Sequence, residues 1–334
     1  MRHYVIAGVL VILASFLTYF GLTAIGLMPV EASAQSLIVD QMWNWDLMAM
    51  SFLFALIVVP LAYSLIVFRR RKGDTGEGKH EEGNSTLEIT WTVIPLILVT
   101  VYAYLGAYTL GEVRTPAADA LVINVTAHQW AWSFDYPEGF TSTELHLPIN
   151  RPVLLKMSSL DVIHSFWVPE FRLKQDVLPG RTTELRITPI LLGNYKVRCA
   201  ELCGTSHAYM LAPVVVASEA DYEAWTKQQA AAEAALLAKG GPEAGKAIVA
   251  QNGCSGCHSI DGSRLTGPTW RGLFGSQVPL EGGKTVTANE AYLTESIHDP
   301  NAKIVAGFPA NVMPQFNLTD QQIKAIVSYI ETLK

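Results

Sequence analysis

The chain has 334 residues, of which 50% are hydrophobic and only 16% are charged. Soluble domains usually carry about 25% charged residues, so this composition excludes a single soluble globule and indicates that part of the chain lies in lipid. Acidic residues outnumber basic ones by 30 to 24, which excludes the basic surface typical of nucleic-acid binding and instead suits a basic protein partner.

The N-terminal region, residues 1–34, begins with an apolar run over residues 5–30 that contains no charged residue. Such a run is longer than the ~20 residues that cross a hydrocarbon layer as a helix, and it predicts a membrane-spanning helix. A signal peptide is the alternative, because Arg2 precedes the run and Ala32-Ser33-Ala34 is similar to a cleavage site. However, the apolar core of a signal peptide is usually only about 7 to 15 residues long.

Residues 35–111 contain two further apolar runs, which predict a transmembrane helical hairpin with helices at about 46–68 and 89–110. The basic cluster at residues 69–72 lies in the loop that connects them. By the positive-inside rule this loop is cytoplasmic, and the chain after the hairpin lies on the extracytoplasmic side.

The rest of the chain changes character twice. Residues 112–217 contain short alternating runs such as 121–125, interrupted by Pro and Gly, and predict an all-β sandwich or barrel. Residues 218–240 are rich in Ala, Glu, Lys and Gln and predict a helical linker. Residues 241–334 combine helical periodicity with Gly-rich loops and predict a small all-α domain.

The first candidate metal site comes from the spacing Cys199, Cys203, His207 and Met210, with His164 as the best source of a second imidazole. Two thiolates, imidazole and a thioether form a soft donor set that favours copper. Zinc also binds two cysteines and two histidines, but it would leave Met210 without a role. A disulfide between the two cysteines would leave both the His and the Met unexplained.

The second candidate site is the run Cys254-Ser-Gly-Cys257-His258. This pattern is the covalent attachment signature of c-type heme, in which two thiols bind the porphyrin and the imidazole binds the iron. Met313 is the last methionine of the chain and the predicted sixth ligand, with His298 as the alternative. A thioredoxin-like redox pair would explain the cysteines but not the histidine that follows them.

These motifs resemble two known families. The segment Cys199-Ala-Glu-Leu-Cys203-Gly-Thr-Ser-His207-Ala-Tyr-Met210 resembles the binuclear copper loop of cytochrome c oxidase subunit II, and the similarity extends over roughly residues 40–217, including 88–95 and 129–136. The C-terminal region is similar to class I cytochromes c. The resemblance implies a cupredoxin domain fused to a cytochrome c domain, the arrangement of the caa-type oxidases.

The resemblance also implies a ligand set. In it two copper ions share the thiolates of Cys199 and Cys203, while each ion has one histidine, His164 or His207. Met210 completes one ion and the backbone carbonyl of Glu201 completes the other.

Three further roles follow from the resemblance, each with a plainer alternative. The carboxylate of Glu201 is placed to bind a magnesium ion shared with subunit I, or it is a solvated loop carboxylate. Trp130 matches the residue at which electrons reach the copper, or it is a core tryptophan. Glu88 matches the carboxylate where protons are taken up, or it only stabilises a helix N-terminus.

The function implied is that of subunit II of a cytochrome c oxidase in a prokaryotic cell membrane, contacting lipid, subunit I and subunit III. Electrons from an external cytochrome c or similar donor would pass through heme c and the copper centre to subunit I, where oxygen is reduced to water with proton translocation. The oxygen-reducing site would lie on another chain. The alternatives are a subunit of a copper-containing nitric-oxide reductase and a free-standing membrane-anchored electron carrier. A quinol oxidase is disfavoured because its subunit II generally lacks the copper ligands.

Overall fold

The computed structural model describes residues 1–73, 75–78, 80, 82–115, 117–310, 312–313, 315–316 and 318–334. It divides into two compact units. The first unit contains Met1–Glu31 and Gln35–Thr115, and the second contains Ala32–Ala34 and Pro116–Lys334.

The first unit is formed by helices α1 (Arg2–Ile25), α2 (Ala34–Val67) and α3 (Ser85–Val113). All three are long and apolar enough to cross a membrane, so the expected hairpin and additional N-terminal helix are confirmed. Helix α2 begins about a dozen residues before the expected position. The reason is that residues 35–46 contain neither Gly nor Pro, so the helix continues beyond the apolar span.

The second unit begins with a β-sandwich. Its strands are β1 (Leu121–His128), β2 (Ala131–Tyr136), β3 (Phe140–Ser142), β4 (Leu145–Pro148), β5 (Val153–Ser159), β6 (His164–Val168), β7 (Leu173–Val177), β8 (Thr183–Ile187), β9 (Gly193–Cys199) and β10 (Leu211–Ala217). They form two sheets with the orders β3-β2-β1-β5-β8 and β4-β10-β9-β6-β7. Alternate residues of β1 point inward, so that Ile123 and Val125 pack against residues such as Phe134 and Leu155 in the core.

Residues 32–34 also belong to the sandwich. The amide of Ala32 donates to the carbonyl of Glu170 at 3.0 Å, and the amide of Ala34 donates to the carbonyl of Thr188 at 2.8 Å. Ala32 and Ser33 are fully buried. The segment that is similar to a signal-peptide cleavage site is therefore paired and packed within the folded sandwich.

The C-terminal part contains α4 (Glu219–Lys239), α5 (Gly241–Gln251), α6 (Glu290–His298) and α7 (Asp320–Thr332). Helix α4 packs on the sandwich, where the ring of Trp225 stacks on His146 with centroids 3.7 Å apart. Helices α5, α6 and α7 enclose a separate apolar core. The domain also has a short ribbon of β11 (Gln277–Pro279) and β12 (Thr285–Thr287), which the expectation of an all-α domain missed because such short strands have too little periodicity to detect.

Candidate copper and heme centres

The loop between β9 and β10 carries most of the predicted copper ligands at one end of the sandwich. Strand β9 ends at Cys199, and β10 begins directly after Met210. His164 begins β6, which pairs with β9 in the register Phe166 opposite Cys199. This pairing brings a histidine 35 residues distant in sequence beside the loop.

The donor atoms of the loop converge. The sulfur atoms of Cys199 and Cys203 lie 3.7 Å apart, much farther than the ~2.05 Å of a disulfide, and both thiols are free. The remaining short distances are 3.8 Å from Cys199 Sγ to His164 Nδ1, 3.5 Å from Cys203 Sγ to His207 Nδ1, 3.8 Å from Cys203 Sγ to Met210 Sδ and 3.2 Å from Cys199 Sγ to Glu201 O.

Burial and the neighbouring thiol control the protonation of this cluster. Burial first, and then the hydrogen bond and charge of Cys199, raise the pKa of Cys203 to about 12. A metal that binds here must therefore displace a proton, which makes its affinity depend on pH. The chemistry of the set, with two thiols, imidazole and thioether, fits copper.

Asp161 orients the histidine that the sequence proposes as a ligand. Its Oδ1 lies 2.8 Å from His164 Nε2, which leaves Nδ1 facing Cys199. Burial alone would raise the pKa of Asp161, but hydrogen bonds from His164 and from the amides of Gln129 and Val162 outweigh it and hold that pKa below its usual value. A carboxylate behind a ligating histidine fixes the tautomer and orientation of the ring.

Two neighbours of the loop share one acceptor. The carbonyl of Cys203 accepts from Gln129 Nε2 at 2.6 Å and from Trp130 Nε1 at 3.2 Å. Trp130 is half-buried, and the side chain of Glu201 is exposed. The sequence reasoning named Trp130 and Glu201 but gave no role to Gln129 or Asp161. The acceptor of Gln129 lies 74 residues away, and an acid three residues before a histidine has no distinctive pattern in the sequence.

The heme-attachment residues line a cleft of about 1300 Å³, measured with its open mouth. Cys254, Cys257, His258 and Met313 all contribute to its wall. His258 Nδ1 lies 2.8 Å from the carbonyl of Pro268, and the ring stacks on Trp270. This hydrogen bond fixes the ring and leaves Nε2 for an iron ion.

The protonation of these groups also suits ligation. Burial lowers the pKa of His258, so its imidazole is held in the neutral form that binds metals. Burial raises the pKa of the Cys254 thiol to about 11, so the thiol is protonated before attachment. The residues present therefore fit a covalently attached heme.

The alternative sixth ligand, His298, lies elsewhere. Its Nε2 is 3.2 Å from Asp320 Oδ1 and half of its side chain is exposed. The part of the chain that the structure describes places Met313, and not His298, in the wall of the cleft. Pro314, within the motif that carries Met313, lies outside the described residues.

Glu88 lies in the first turn of α3 with an exposed side chain. Its Oε1 accepts from the amide of Asn84 at 3.3 Å, while Asn84 caps the helix by accepting from the amide of Leu87. This is reciprocal capping of a helix N-terminus. The contact accounts for an acid at this position and leaves the proton role a prediction.

The chain combines three apolar helices, a β-sandwich with a metal-binding loop of soft donors, and a domain with a heme-attachment motif. This combination defines a membrane-anchored electron-transfer protein. Comparison with known proteins makes the class more specific. Residues 5–106 match the family "Cytochrome C oxidase subunit II, transmembrane domain", residues 140–219 match its "periplasmic domain", and residues 242–334 match "Cytochrome c".

Two relatives match this chain over most of its length. The chain is 32% identical over 308 residues to the cytochrome c oxidase subunit 2 of Alkalihalophilus pseudofirmus, an alignment that covers 87% of each chain. It is 36% identical over 271 residues to that of Synechocystis sp., which covers 67% of this chain and 82% of the relative. Among solved structures, the periplasmic domain of subunit II of the Bradyrhizobium japonicum cytochrome oxidase is 30% identical, with 34% of this chain and 95% of that chain covered and a TM-score of 0.33.

The chain belongs to the cytochrome c oxidase subunit II family and carries a fused cytochrome c domain. It is a subunit of an oxidase, and subunit I is its partner in the complex. The two soluble domains imply copper and heme c. The predictions of the family, of the fold class and of the oxidase role are confirmed.

Proposed function

We propose that this chain takes electrons from an external cytochrome c or similar donor at its heme c and passes them through a binuclear copper centre to subunit I. Oxygen would be reduced to water there, with proton translocation across a prokaryotic cell membrane. Subunit III is a further proposed partner, and the sandwich and cytochrome domains would face the extracytoplasmic side.

The observation that carries the proposal is the convergence of six donors on one loop and its neighbouring strand. The proposed copper ligands are His164, Cys199, the carbonyl of Glu201, Cys203, His207 and Met210. Cys254 and Cys257 are the proposed heme attachment points, and His258 and Met313 are the proposed ligands of its iron. Copper and heme iron, when bound, each accept and release one electron at a time. The chain's own task is to hold both in fixed geometry.

Rigid placement supports this role. Met210 and His164 are fully buried, and the ligand loop is anchored at both ends by the pairing of β9 with β10. Asp161 holds the His164 ring, and Pro268 holds the His258 ring. Ligands that cannot move keep the reorganisation energy of electron transfer small, because the metal centre has nearly the same geometry before and after its charge changes.

Three residues have proposed roles beyond the two centres. The exposed carboxylate of Glu201 is available to a magnesium ion at the boundary with subunit I. Trp130 is proposed as the residue at which electrons enter, and its hydrogen bond to the carbonyl of Cys203 supports this role. Glu88, exposed at the start of α3, is proposed as the cytoplasmic site of proton uptake.

The test is to purify the complex from its native membrane through this chain and to measure its turnover. Reduced cytochrome c is supplied as donor, with oxygen and nitric oxide as competing substrates, and copper and heme c are quantified on the same sample. Oxygen uptake with two coppers and one heme c on this chain supports the proposal. Nitric-oxide turnover without oxygen uptake would move the complex to the reductase class. Isolation of the loaded chain without a catalytic partner would leave a plain electron carrier.

The role of Glu201 needs its own measurement. Manganese supplied in place of magnesium gives a spectroscopic signal at such a site, and a Glu201→Ala complex should lose that signal while it retains copper. An unchanged manganese signal would show that the Glu201 carboxylate is only solvated.

A further inference from the structure

We propose that His128 and Gln129 form a docking seam for the cytochrome c domain, and that Gln129 is the residue that joins the heme-attachment segment to the copper loop. The seam consists of His128, Gln129 and Ser133 on the sandwich and of residues 251–256 on the cytochrome domain. The inference rests on the proposed function, because it assigns the seam to electron transfer between the two centres of this chain.

Three contacts define the seam. Ser133 Oγ donates to the carbonyl of Gln251 at 2.9 Å. A Cβ placed on Gly253 would lie 1.9 Å from His128 Nε2, and one placed on Gly256 would lie 3.4 Å from the carbonyl oxygen of Gln129. The His128 ring therefore lies against the backbone of Gly253 because Gly253 has no side chain, and Cys254 follows directly in that segment.

Among the residues that the structure describes, His128 is buried with two unpaired polar atoms. It is 8% exposed, and neither of its ring nitrogens has a hydrogen-bond partner among the described residues. The same ring forms part of the wall of the heme cleft. Buried polar groups are nearly always hydrogen-bonded, so an unpaired imidazole in this wall is typical of a position beside a polar ligand, which the heme would supply.

On the copper side, Gln129 contacts the ligand loop twice. Its Nε2 donates to the carbonyl of Cys203 at 2.6 Å, and its backbone amide donates to Asp161 Oδ2 at 2.6 Å. Asp161 in turn holds His164 at 2.8 Å. One residue thus contacts the heme-attachment segment on one side and both halves of the proposed copper site on the other.

Trp130 has a different position. Its Nε1 donates to the same Cys203 carbonyl as Gln129. Among the residues that the structure describes, the wall of the heme cleft includes His128, Gln129 and Asp161 but not Trp130. A heme held in this cleft would therefore lie beside His128, Gln129 and Asp161, and among these Gln129 donates to the carbonyl of Cys203 on the copper loop. The step is a one-electron exchange in which the heme iron is oxidised and the copper centre is reduced, with no bond made or broken and no proton moved.

The first test introduces a methyl group between the sandwich and the cytochrome c domain in the complete complex. Gly253→Ala directs a Cβ into His128, whereas Gly272→Ala has the same φ of +65° and meets nothing within 4 Å. The two substitutions share the cost of a left-handed backbone, so only the first disturbs the seam. The double variant Gly253→Ala with His128→Ala removes the ring that the new Cβ would meet.

Two readouts apply to these variants: hydrogen exchange of the amides at residues 251–256, and the rate of heme-to-copper electron transfer after rapid photoreduction of the heme. Gly253→Ala should increase exchange and slow transfer by about tenfold or more, because reacting groups lose rate steeply with small displacements. Gly272→Ala should change neither. The double variant should recover both in part, because it removes the clash but also the His128 ring. Equal amide exchange and equal transfer rates in Gly253→Ala and Gly272→Ala would refute the proposed seam.

A second comparison tests the role of Gln129 directly. Gln129→Met keeps the length of the side chain but removes the donor to Cys203, and Trp130→Phe removes the other donor to the same carbonyl. We expect Gln129→Met to slow heme-to-copper transfer in addition to any effect of Trp130→Phe, and an unchanged rate in a Gln129→Met complex that retains copper would refute the assignment. If Gln129→Met loses copper, the Gly253 series decides, since Gly253 contacts no proposed copper ligand. Consider a complex that retains copper, heme c and oxygen reduction while none of these substitutions changes the rate of heme-to-copper transfer. That result would refute the seam and leave the proposed function intact.

Discussion

Gly245 lies where α5 crosses α7, and its replacement by alanine should destabilise the cytochrome c domain. A Cβ at this position would lie 2.0 Å from the carbonyl oxygen of Ala325 and 2.7 Å from the Cβ of Tyr329, whereas real Cβ atoms essentially never come closer than 3.0 Å. The nearest atom belongs to the backbone of α7 and cannot rotate away. The two helices must therefore separate by about 1 Å, since close-packed interiors have no room to absorb a methyl group.

The expected cost is the difference between two opposing effects. Alanine is favoured over glycine inside a helix by about 1 kcal/mol. Overpacking of a core typically costs about 1–3 kcal/mol, and a backbone clash at this crossing belongs at the upper end because separation also loosens the buried contacts of Ile248 and Ile326. The net destabilisation is about 2 kcal/mol, which lowers the melting temperature of a domain of this size by roughly 10 °C.

The assay is thermal unfolding of the intact complex, followed by the heme absorbance of the cytochrome c domain. Lys246→Ala is the matched control, because Lys246 is exposed on the same helix and a surface substitution changes stability by no more than about 0.5 kcal/mol. A melting temperature of Gly245→Ala equal to that of the control, or higher, would refute the reasoning, because helix propensity would then outweigh the clash.

Three other substitutions have expected outcomes. Asp161→Asn removes the carboxylate charge behind His164, so copper should be lost to a chelator about 10- to 100-fold more readily, and unchanged retention would contradict this role. Met313→Leu should keep the heme but lower its reduction potential in a redox titration, because a thioether ligand raises the potential; an unchanged potential would mean that Met313 is not a ligand. Burial lowers the pKa of His146 in the folded protein, so the unfolded chain binds more protons at acid pH. The neutral ring therefore contributes its full stabilisation of the fold above about pH 6.5, and this stabilisation is lost as the pH falls below that value. His146→Phe keeps the stacking on Trp225 but should flatten the acid side of a melting-temperature profile, and a slope identical to that of the unmodified chain would exclude His146 as its source.

The parts of the protein that were predictable from the sequence are those whose determinants are local. The apolar runs predicted the membrane-spanning helices, because the length needed to cross lipid is a property of the segment itself. Alternating residues predicted the sandwich, and the Ala-rich, Gly-free run at residues 219–239 predicted a helix that the structure has as α4. The proposed ligand motifs are local too, because Cys199 to Met210 lie on one loop and Cys254 to His258 lie on one turn.

The features that the sequence did not predict depend on pairing between distant segments. The sequence named His164 as the second imidazole, but the way it reaches Cys199 follows from the register between β6 and β9, and periodicity does not specify which strands pair. The early start of α2 and the ribbon of β11 and β12 were missed for a different reason. Neither depends on a hydrophobic pattern strong enough to stand out from its surroundings.

The sequence alone determined the family, the fold class and the kinds of donor atoms, because each is encoded by residue types at short, regular spacing. Only the tertiary structure placed Asp161 behind His164 and Gln129 against Cys203, and only it brought His128 onto Gly253. Asp161 and His164 meet through their side chains three residues apart, whereas the side chains of Gln129 and His128 meet the backbones of Cys203 and Gly253, which lie 74 and 125 residues away. Spacing along the chain identifies which donors are present, whereas the packing of strands and domains decides how those donors are held and which groups meet.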